Sequence, residues 1–225
     1  MDKYALIVAG GSGTRMGSSI PKQFLSVAGK PVLAHTINSF VEAYADVHII
    51  LVLHGMYVQQ GRELVQSWTD EAQVTFTTGG ETRFHSVKKG LEFVPDNSVC
   101  FVHDAVRCLV SIKLIRRCYE MTCELGNAVP AVAPADSMRL QGEEGRFHPL
   151  DRSKVRLIQT PQTFYSSILK AAFAQPYDPA FTDEASVVEK TGVGIHLIEG
   201  EATNLKITTP LDLVIAETLF AQRVM

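Results

Sequence analysis

The positions of the apolar residues divide the chain into short buried strands that alternate with amphipathic helices. Continuous apolar runs predict strands covered on both faces, and apolar residues three and four apart predict helices with one buried face. The predicted strands are residues 4–9, 47–53, 74–76, 99–102, 128–132 and 194–198. The predicted helices are residues 31–43, a helix marked by Leu64, Val65 and Trp68, then 82–93, 112–125, 164–173 and 182–191, and a last helix that opens at Thr209-Pro210.

This alternation predicts an α/β fold, with a Rossmann-like and mostly parallel sheet that carries helices on both faces. Residues 1–225 read as one domain without internal repeats. In open sheets of this type, ligands bind beyond the carboxyl ends of the strands. Gly10, Gly79 and Asp104 each follow a predicted strand. We therefore expect three separate motifs to meet at one edge of the sheet.

Residues 136–159 break the alternation and predict a protruding β-hairpin. Extended segments of mixed polarity at 137–141 and 147–158 flank the turn formed by residues 142–145, which contains two glycines. A hairpin that lies on the surface of its own domain is one interpretation. A surface for a partner is the other, because such a hairpin has too little apolar area to be stable alone.

A glycine-rich loop follows the first strand, with glycines at 10, 11 and 13. Glycine allows main-chain N–H groups to turn toward an anion, and Arg15 and Lys22 add two cations beyond the loop. The segment lacks the Gly-Lys-Ser/Thr end of a Walker loop, and Met16 stands where a dinucleotide motif has its third glycine. The pattern favours a triphosphate site, with an ordinary turn as the alternative.

Composition restricts the possible partners. The 225 residues carry a formal charge of -3, which gives no overall basic surface for nucleic acid. No apolar run reaches the roughly 20 residues that span a bilayer, so no membrane is expected as a partner. The first residues do not resemble a signal peptide, and the four cysteines lack zinc spacing, so we expect a cytoplasmic protein with reduced thiols.

Several further motifs occur in a specific order. They are Gly79-Gly80-Glu81-Thr82-Arg83 with Ser86-Val87, Val102-His103-Asp104-Ala105-Val106-Arg107, Asp151-Arg152-Ser153, Thr160-Pro161-Gln162, Thr182-Asp183-Glu184-Ala185-Ser186 and Asn204-Leu205-Lys206. Together with the glycine loop they resemble the nucleotidyltransferases that activate small phosphates and sugars. The pattern is most similar to the 2-C-methyl-D-erythritol 4-phosphate cytidylyltransferases. The likeness covers almost the whole chain.

The resemblance implies an enzyme of isoprenoid precursor biosynthesis that transfers CMP from CTP to 2-C-methyl-D-erythritol 4-phosphate, a small polyol phosphate, with Mg²⁺ as the cofactor. It also implies a homodimer in which the arm at residues 136–159 embraces the second subunit. Two rivals stay open. A ribitol-5-phosphate cytidylyltransferase would share the loop and the arm, and a non-catalytic CTP-binding module would release no pyrophosphate.

The resemblance also implies site residues. The catalytic candidates are Arg15, Lys22, Asp104, Arg152 and Lys206. The nucleotide candidates are Ala9, Gly10, Gly11, Gly13, Gly80, Glu81, Ser86 and Ala105, and the acceptor candidates are Arg107, Ser137 and Thr160.

Some of these positions also have a plainer interpretation. Asp104 either helps to hold Mg²⁺ that is bound mainly by the CTP phosphates, or caps a turn. His103 is expected to pack in the core. Asp183 and Glu184 are expected to open a helix rather than to form an acid–base pair. The chain has Val106 and Cys108 where the family often has Ala and Pro.

Overall fold

The computed structural model describes residues 1–10, 20–68, 73–143 and 145–223. Its strands are β1 Lys3–Ala9, β2 Ser26–Val27, β3 Lys30–Pro31, β4 His48–Leu53, β5 Gln73–Thr78, β6 Val99–Asp104, β7 Asn127–Val132, β8 Met138–Gln141, β9 Phe147–Leu150, β10 Leu157–Ile158, β11 Gln162–Tyr165 and β12 Leu197–Glu199. Its α-helices are α1 Val32–Ala43, α2 Val58–Trp68, α3 Arg83–Leu91, α4 Ile112–Leu125, α5 Ser166–Phe173, α6 Glu184–Glu189 and α7 Pro210–Arg223.

The central sheet confirms the predicted α/β architecture. Its strand order is β10-β7-β11-β6-β1-β4-β5, and β12 pairs with β7. Strand β1 runs parallel to both β4 and β6, and β4 runs parallel to β5. The carboxyl ends of these four strands therefore lie at one edge of the sheet, as the sequence predicted.

Strand β1 is covered on both faces because its apolar residues alternate between two cores. Ile7 packs in a cluster with α1 and α4, and Leu6 packs in a second cluster with α3 and α5. Both side chains have no exposed area. The Gly90 Cα lies so close to Leu6 that a Cβ there would be 2.6 Å from Leu6 Cδ1. Glycine at this position lets α3 approach the sheet.

The helix boundaries follow the predicted signals at several points. Helix α4 begins where the Ser111 hydroxyl accepts from the N–H of Leu114, and it ends at Gly126, which has a φ of 89°. A left-handed residue is the usual end of a helix, and glycine adopts it without a Cβ clash. Helix α7 begins at Pro210, where Asp212 Oδ2 accepts from the N–H of Thr209 at 2.7 Å.

Several predicted boundaries in the second half of the chain were wrong, including that of the strand expected at 194–198, which is β12 at Leu197–Glu199. Phe164 and Tyr165 do not open a helix, because they belong to β11, which lies antiparallel between β6 and β7. Phe164 is fully buried there. The apolar residues of this segment satisfy a strand and a helix equally, and only the gap between β6 and β7 selects the strand.

The hairpin is shorter than expected. Strands β8 and β9 pair antiparallel from Met138 opposite Leu150 to Gln141 opposite Phe147, in a sheet of their own. Leu157 and Ile158 were assigned to the return strand but pair with β7 in the main sheet. We use "hairpin arm" for residues 138–150. Its side chains are largely exposed, and they include Leu140 at 62% and Phe147 at 59%.

Candidate active site

The glycine turn after β5 and the end of β1 meet at one hydroxyl. A Cβ on Gly79 would lie 2.9 Å from Ser86 Oγ, and a Cβ on Gly10 would lie 3.6 Å from the same atom. Ser86 accepts from the N–H of Gly80 at 3.1 Å and donates to the carbonyl of Thr82 at 2.9 Å. Ser86 therefore fixes the turn.

Close packing also explains why position 80 is a glycine. A Cβ there would lie 2.5 Å from His85 Cβ and 3.1 Å from the His85 carbonyl carbon. The turn therefore packs directly on the first turn of α3. This leaves main-chain groups, rather than side chains, to face a ligand beyond the turn. Glu81, the next residue, is exposed.

Lys22 and Gln23 form a 3₁₀ turn beside the end of β1. Gln23 Nε2 donates to the carbonyl of Ala9 at 2.9 Å, which fixes the point where the glycine loop begins. Lys22 Nζ donates to the carbonyl of Ile207 at 3.1 Å and is largely buried. Ala105, another nucleotide candidate, donates its N–H to the carbonyl of Val8 at 3.1 Å. These contacts bring the candidates Lys22, Ala9 and Ala105 to one place.

Asp104 lies at the end of β6 among three cations. Its Oδ2 is 3.0 Å from Lys206 Nζ and 3.4 Å from Arg107 Nε, and its Oδ1 is 3.4 Å from Arg83 Nη2. Burial alone would raise the pKa of Asp104, but Arg83, Lys206 and Arg107 together lower it below its ordinary value. The carboxylate therefore stays ionised and orients the cations around it.

Thr160 and His103 fix the backbone around Asp104 through hydrogen bonds. Thr160 Oγ1 accepts from the N–H of Asp104 at 3.1 Å and lies 3.0 Å from His103 Nδ1. His103 Nε2 faces the carbonyl of Arg107 at 3.2 Å, and because a carbonyl only accepts, Nε2 carries the proton and Nδ1 accepts from Thr160. Burial lowers the pKa of His103 to about 3, so the ring is neutral. His103 is thus a hydrogen-bonding link as well as a core residue.

The segment Asn204–Ile207 places Lys206 in this site. Arg107 Nη1 donates to the carbonyl of Asn204 at 2.8 Å, and the Asn204 amide donates to the carbonyl of Thr160 at 2.8 Å. The N–H of Ile207 donates to the carbonyl of Val106 at 2.9 Å. We use "Asp104 cluster" for Arg83, Asp104, Arg107, Thr160 and Lys206. The sequence predicted four of these five residues as site residues.

Arg83 is the residue of the Asp104 cluster that the sequence did not predict as a site residue, although it ends the motif Gly79-Gly80-Glu81-Thr82-Arg83. Its Nη2 is 2.9 Å from Glu184 Oε2 and 3.4 Å from Asp104 Oδ1. Asp183 does open α6, as expected, because its side chain accepts from the N–H of Ser186. Glu184 points into the site, which helix-start reasoning did not predict.

Arg152 and Ser137 lie apart from the Asp104 cluster. Arg152 donates to the carbonyl of Ala135, near the base of the hairpin arm, and its side chain is exposed. Ser137 is also exposed. The contacts of the described chain do not join either residue to Asp104 or Lys206. Arg15, Gly11 and Gly13 lie outside the described residues.

No group of three or more His, Cys, Asp and Glu side chains that could hold a metal ion occurs in the part of the chain that the structure describes. Both oxygens of Asp104 face cationic nitrogens at 3.0–3.4 Å. This arrangement does not suit a carboxylate that binds a metal directly, because a metal ion would have to replace one of these cations.

Comparison with known proteins assigns the chain to a family. The family model described as 2-C-methyl-D-erythritol 4-phosphate cytidylyltransferase matches residues 4–222. The chain belongs to this family. A curated cytidylyltransferase of that name from Bacteroides thetaiotaomicron is 44% identical over 219 residues, which cover 97% of this chain and 100% of the relative.

Solved structures of the family have the same fold. The Francisella tularensis cytidylyltransferase superposes with a TM-score of 0.81 at 30% identity and covers 97% of this chain and 99% of its own. The Thermus thermophilus cytidylyltransferase has a TM-score of 0.76 at 31% identity, with 97% and 98% covered. The Asp104 cluster thus lies within the residues that the family model matches.

Proposed function

We propose that this member of the cytidylyltransferase family transfers CMP from CTP to 2-C-methyl-D-erythritol 4-phosphate. The products are 4-diphosphocytidyl-2-C-methyl-D-erythritol and pyrophosphate, in non-mevalonate isoprenoid precursor biosynthesis. The observation that carries the proposal is the Asp104 cluster, in which one buried carboxylate holds three cations beside a glycine turn. Such a group of cations suits a site that brings two phosphate-bearing substrates together.

The reaction needs charge stabilisation more than it needs a nucleophilic side chain. A phosphate oxygen of the acceptor attacks the α-phosphorus of CTP, the new P–O bond forms, and the bond to the β-phosphate breaks to release pyrophosphate. Negative charge gathers at the α-phosphate during this step, so fixed cations there stabilise the transition state. Lys22, held by the Ile207 carbonyl, is one such cation. Arg15 is proposed as the second.

Mg²⁺ is proposed to enter with CTP, held by the phosphate oxygens rather than by Asp104. When bound, the ion supplies Lewis-acid neutralisation of the triphosphate. The protein contributes by orienting the base and the cations. The glycine turn at Gly79-Gly80, fixed by Ser86, is proposed to read cytosine through main-chain groups.

The acceptor phosphate is proposed to bind beside Lys206 and Arg107. Both cations are oriented by Asp104, so their positions are set before the acceptor arrives. Arg152 and Ser137 are proposed to complete the acceptor site from a second subunit, across a homodimer formed by the hairpin arm. Exposed apolar side chains on an isolated two-stranded sheet support this, since such a hairpin is marginal alone.

A cytoplasmic location is proposed. All four cysteines are present as thiols, three of them buried, which suits a reducing compartment. No helix within the described residues has the length and apolar character needed to cross a membrane.

Pyrophosphate release tests the proposed function. The protein would be assayed with CTP, UTP, ATP and GTP, each with 2-C-methyl-D-erythritol 4-phosphate and with ribitol 5-phosphate. We expect release with CTP and the erythritol phosphate. UTP should be poor because its O4 accepts where cytosine donates, which leaves polar groups unpaired.

Each rival has its own outcome in this assay. Preference for ribitol 5-phosphate would replace the proposed acceptor. CTP binding without pyrophosphate release under any pairing would indicate a non-catalytic module. Turnover with UTP comparable to that with CTP would contradict the proposed reading of the base by the glycine turn.

A further inference from the structure

The Glu184 carboxylate is buried at a cost that helix capping does not explain. Its side chain is 1% exposed. Asp183 already caps α6 by accepting from the N–H of Ser186, and the Ser186 hydroxyl accepts from the N–H of Asp183. A carboxylate removed from water is unfavourable unless it is paired. Glu184 therefore needs a partner, and it has one outside its own helix.

That partner is Arg83, and the contact leads directly to Asp104. A single nitrogen, Arg83 Nη2, lies 2.9 Å from Glu184 Oε2 and 3.4 Å from Asp104 Oδ1. Arg83 begins α3, three residues after Gly80. One guanidinium thus joins α6 to the carboxylate that orients Lys206 and Arg107.

Glu184 is a fixed anchor because α6 is bound to the central sheet. Gln162, in β11, donates from Nε2 to Asp183 Oδ2 at 2.9 Å. The Oε1 of Gln162 accepts from the N–H of Ala185 at 2.8 Å. These two bonds bracket Glu184, and β11 pairs with β6, the strand that ends at Asp104. Glu184 and Asp104 are therefore held at a set separation.

We propose that Glu184 is a positioning residue for cytidylyl transfer, which rests on the proposed function. It keeps the Arg83 guanidinium beside Asp104 Oδ1, so that Asp104 Oδ2 stays directed toward Lys206 and Arg107. Without Glu184, Arg83 has one carboxylate partner instead of two and is free to move toward the substrate phosphates. Asp104 and Lys206 then lose their set orientation, and the chemical step slows.

The position of Arg83 affects catalysis more than it affects CTP binding. The glycine turn is fixed by Ser86 and Thr82, whose bonds do not involve Glu184. A misplacement of about 1 Å in a reacting group can cost roughly 10²-fold in rate. The proposal therefore predicts a selective loss of kcat, with little change in the KM for CTP.

The test compares Glu184→Ala and Glu184→Gln with the wild type in steady-state pyrophosphate release. We expect kcat to fall roughly tenfold or more in Glu184→Ala and less in Glu184→Gln, whose amide oxygen can still accept from Arg83. The KM for CTP should stay within about twofold, since uniform binding is kept. Glu189→Ala is the matched control, because Glu189 is exposed at the other end of α6.

A double variant shows whether Glu184 acts through Arg83. Arg83→Gln with Glu184→Gln should have a kcat no lower than Arg83→Gln alone, because the anchor is useless without its guanidinium. Independent, multiplying losses would overturn the proposal. An unchanged kcat in Glu184→Ala, calculated per amount of folded protein, would also overturn the proposal. The same holds if the only effect of Glu184→Ala is a lower melting temperature.

Glu184→Gln keeps the side-chain shape, so the test does not depend on whether Glu184→Ala folds. A wild-type chain that releases no pyrophosphate from CTP would overturn the proposed function itself. An active wild type with normal kcat in the Glu184 variants would overturn the positioning role alone. The two failures are therefore distinguishable.

Discussion

The Asp104 cluster and the base of the hairpin arm hold predicted site residues in opposite ways. In the cluster, Asp104 contacts three cations within 3.4 Å, and each cation comes from a different part of the chain. On the arm side, Arg152 is exposed and its bond is to the carbonyl of Ala135, nearby in sequence. The contrast shows that the edge of the sheet holds a pre-oriented set of charges, whereas Arg152, beside the arm, contacts none of these charges within the described chain.

The largest effect on catalysis is expected for Lys22, which lies beside the end of β1. Lys22→Gln should lower kcat by about 10²–10³-fold, because the amide can still donate to the Ile207 carbonyl but no longer carries charge toward the α-phosphate. Lys113→Gln, an exposed position on α4, is the control. Both variants would be assayed at saturating CTP and Mg²⁺. Near-normal turnover in Lys22→Gln would remove Lys22 from the catalytic assignment.

The second effect is a dependence of the free energy of unfolding on pH, and it comes from the buried Glu184 carboxyl. Burial, opposed by Arg83, raises the pKa of Glu184 from its ordinary value of 4.5 to about 7. Because the folded protein then holds this proton more tightly than the unfolded chain does, the contribution of Glu184 to stability is lost as the pH rises from about 4.5 through about 7. The loss should be about 3 kcal/mol.

Urea unfolding at several pH values checks this prediction. Glu184→Gln has no carboxyl to titrate, so its free energy of unfolding should rise relative to the wild type as the pH increases over that window. Glu143→Gln, exposed in the turn of the hairpin arm, should follow the wild type. Parallel curves for the wild type and Glu184→Gln would contradict the raised pKa.

The third effect tests whether Arg152, at the base of the arm, completes a site in a second subunit. Lys22→Gln chains and Arg152→Ala chains would be mixed and allowed to exchange. About half of the dimers would be mixed, each with one intact site of two, so roughly a quarter of wild-type activity should return. If mass spectrometry shows exchange but activity stays at the level of the separate variants, Arg152 acts within its own chain.

The smallest effect on stability is expected on the arm. Phe147→Ser should weaken dimer formation, since Phe147 is 59% exposed in the single chain. Its effect on the unfolding free energy of the monomer should be under about 0.5 kcal/mol, as for other exposed positions. Sedimentation over a concentration series measures the dimer. Phe93→Ser, at an exposed phenylalanine outside the arm, is the control, and equal effects of the two changes would exclude a specific role for the arm.

Local patterns predicted most of the sheet because the signals are themselves local. The apolar run of β1, the glycine that ends α4 and the motifs at the strand ends each depend on neighbouring residues. Strand β11 was missed because Gln162–Tyr165 is too short to distinguish a strand from the start of a helix. Its pairing with β6 and β7 comes from tertiary packing.

The candidate site was predictable to the extent that its residues lie in motifs. Asp104, Arg107, Thr160 and Lys206 came from such motifs, and the structure brings them together. The Arg83–Glu184 contact joins residues 101 positions apart. The sequence around either residue does not indicate that the other is its partner. A glutamate directly after the aspartate that caps the helix was the available signal in the sequence.

The bond between Lys22 and Ile207 joins residues 185 positions apart, which has a consequence for synthesis on the ribosome. The glycine turn and the strands that surround it are complete once β6 has emerged. Lys206, the Asn204 carbonyl that holds Arg107 and the Ile207 carbonyl that holds Lys22 are all translated about a hundred residues later. A nascent chain can therefore form the turn at Gly79 and Gly80 long before Lys206 is present, and the Asp104 cluster can be completed only after the last tenth of the chain has been translated.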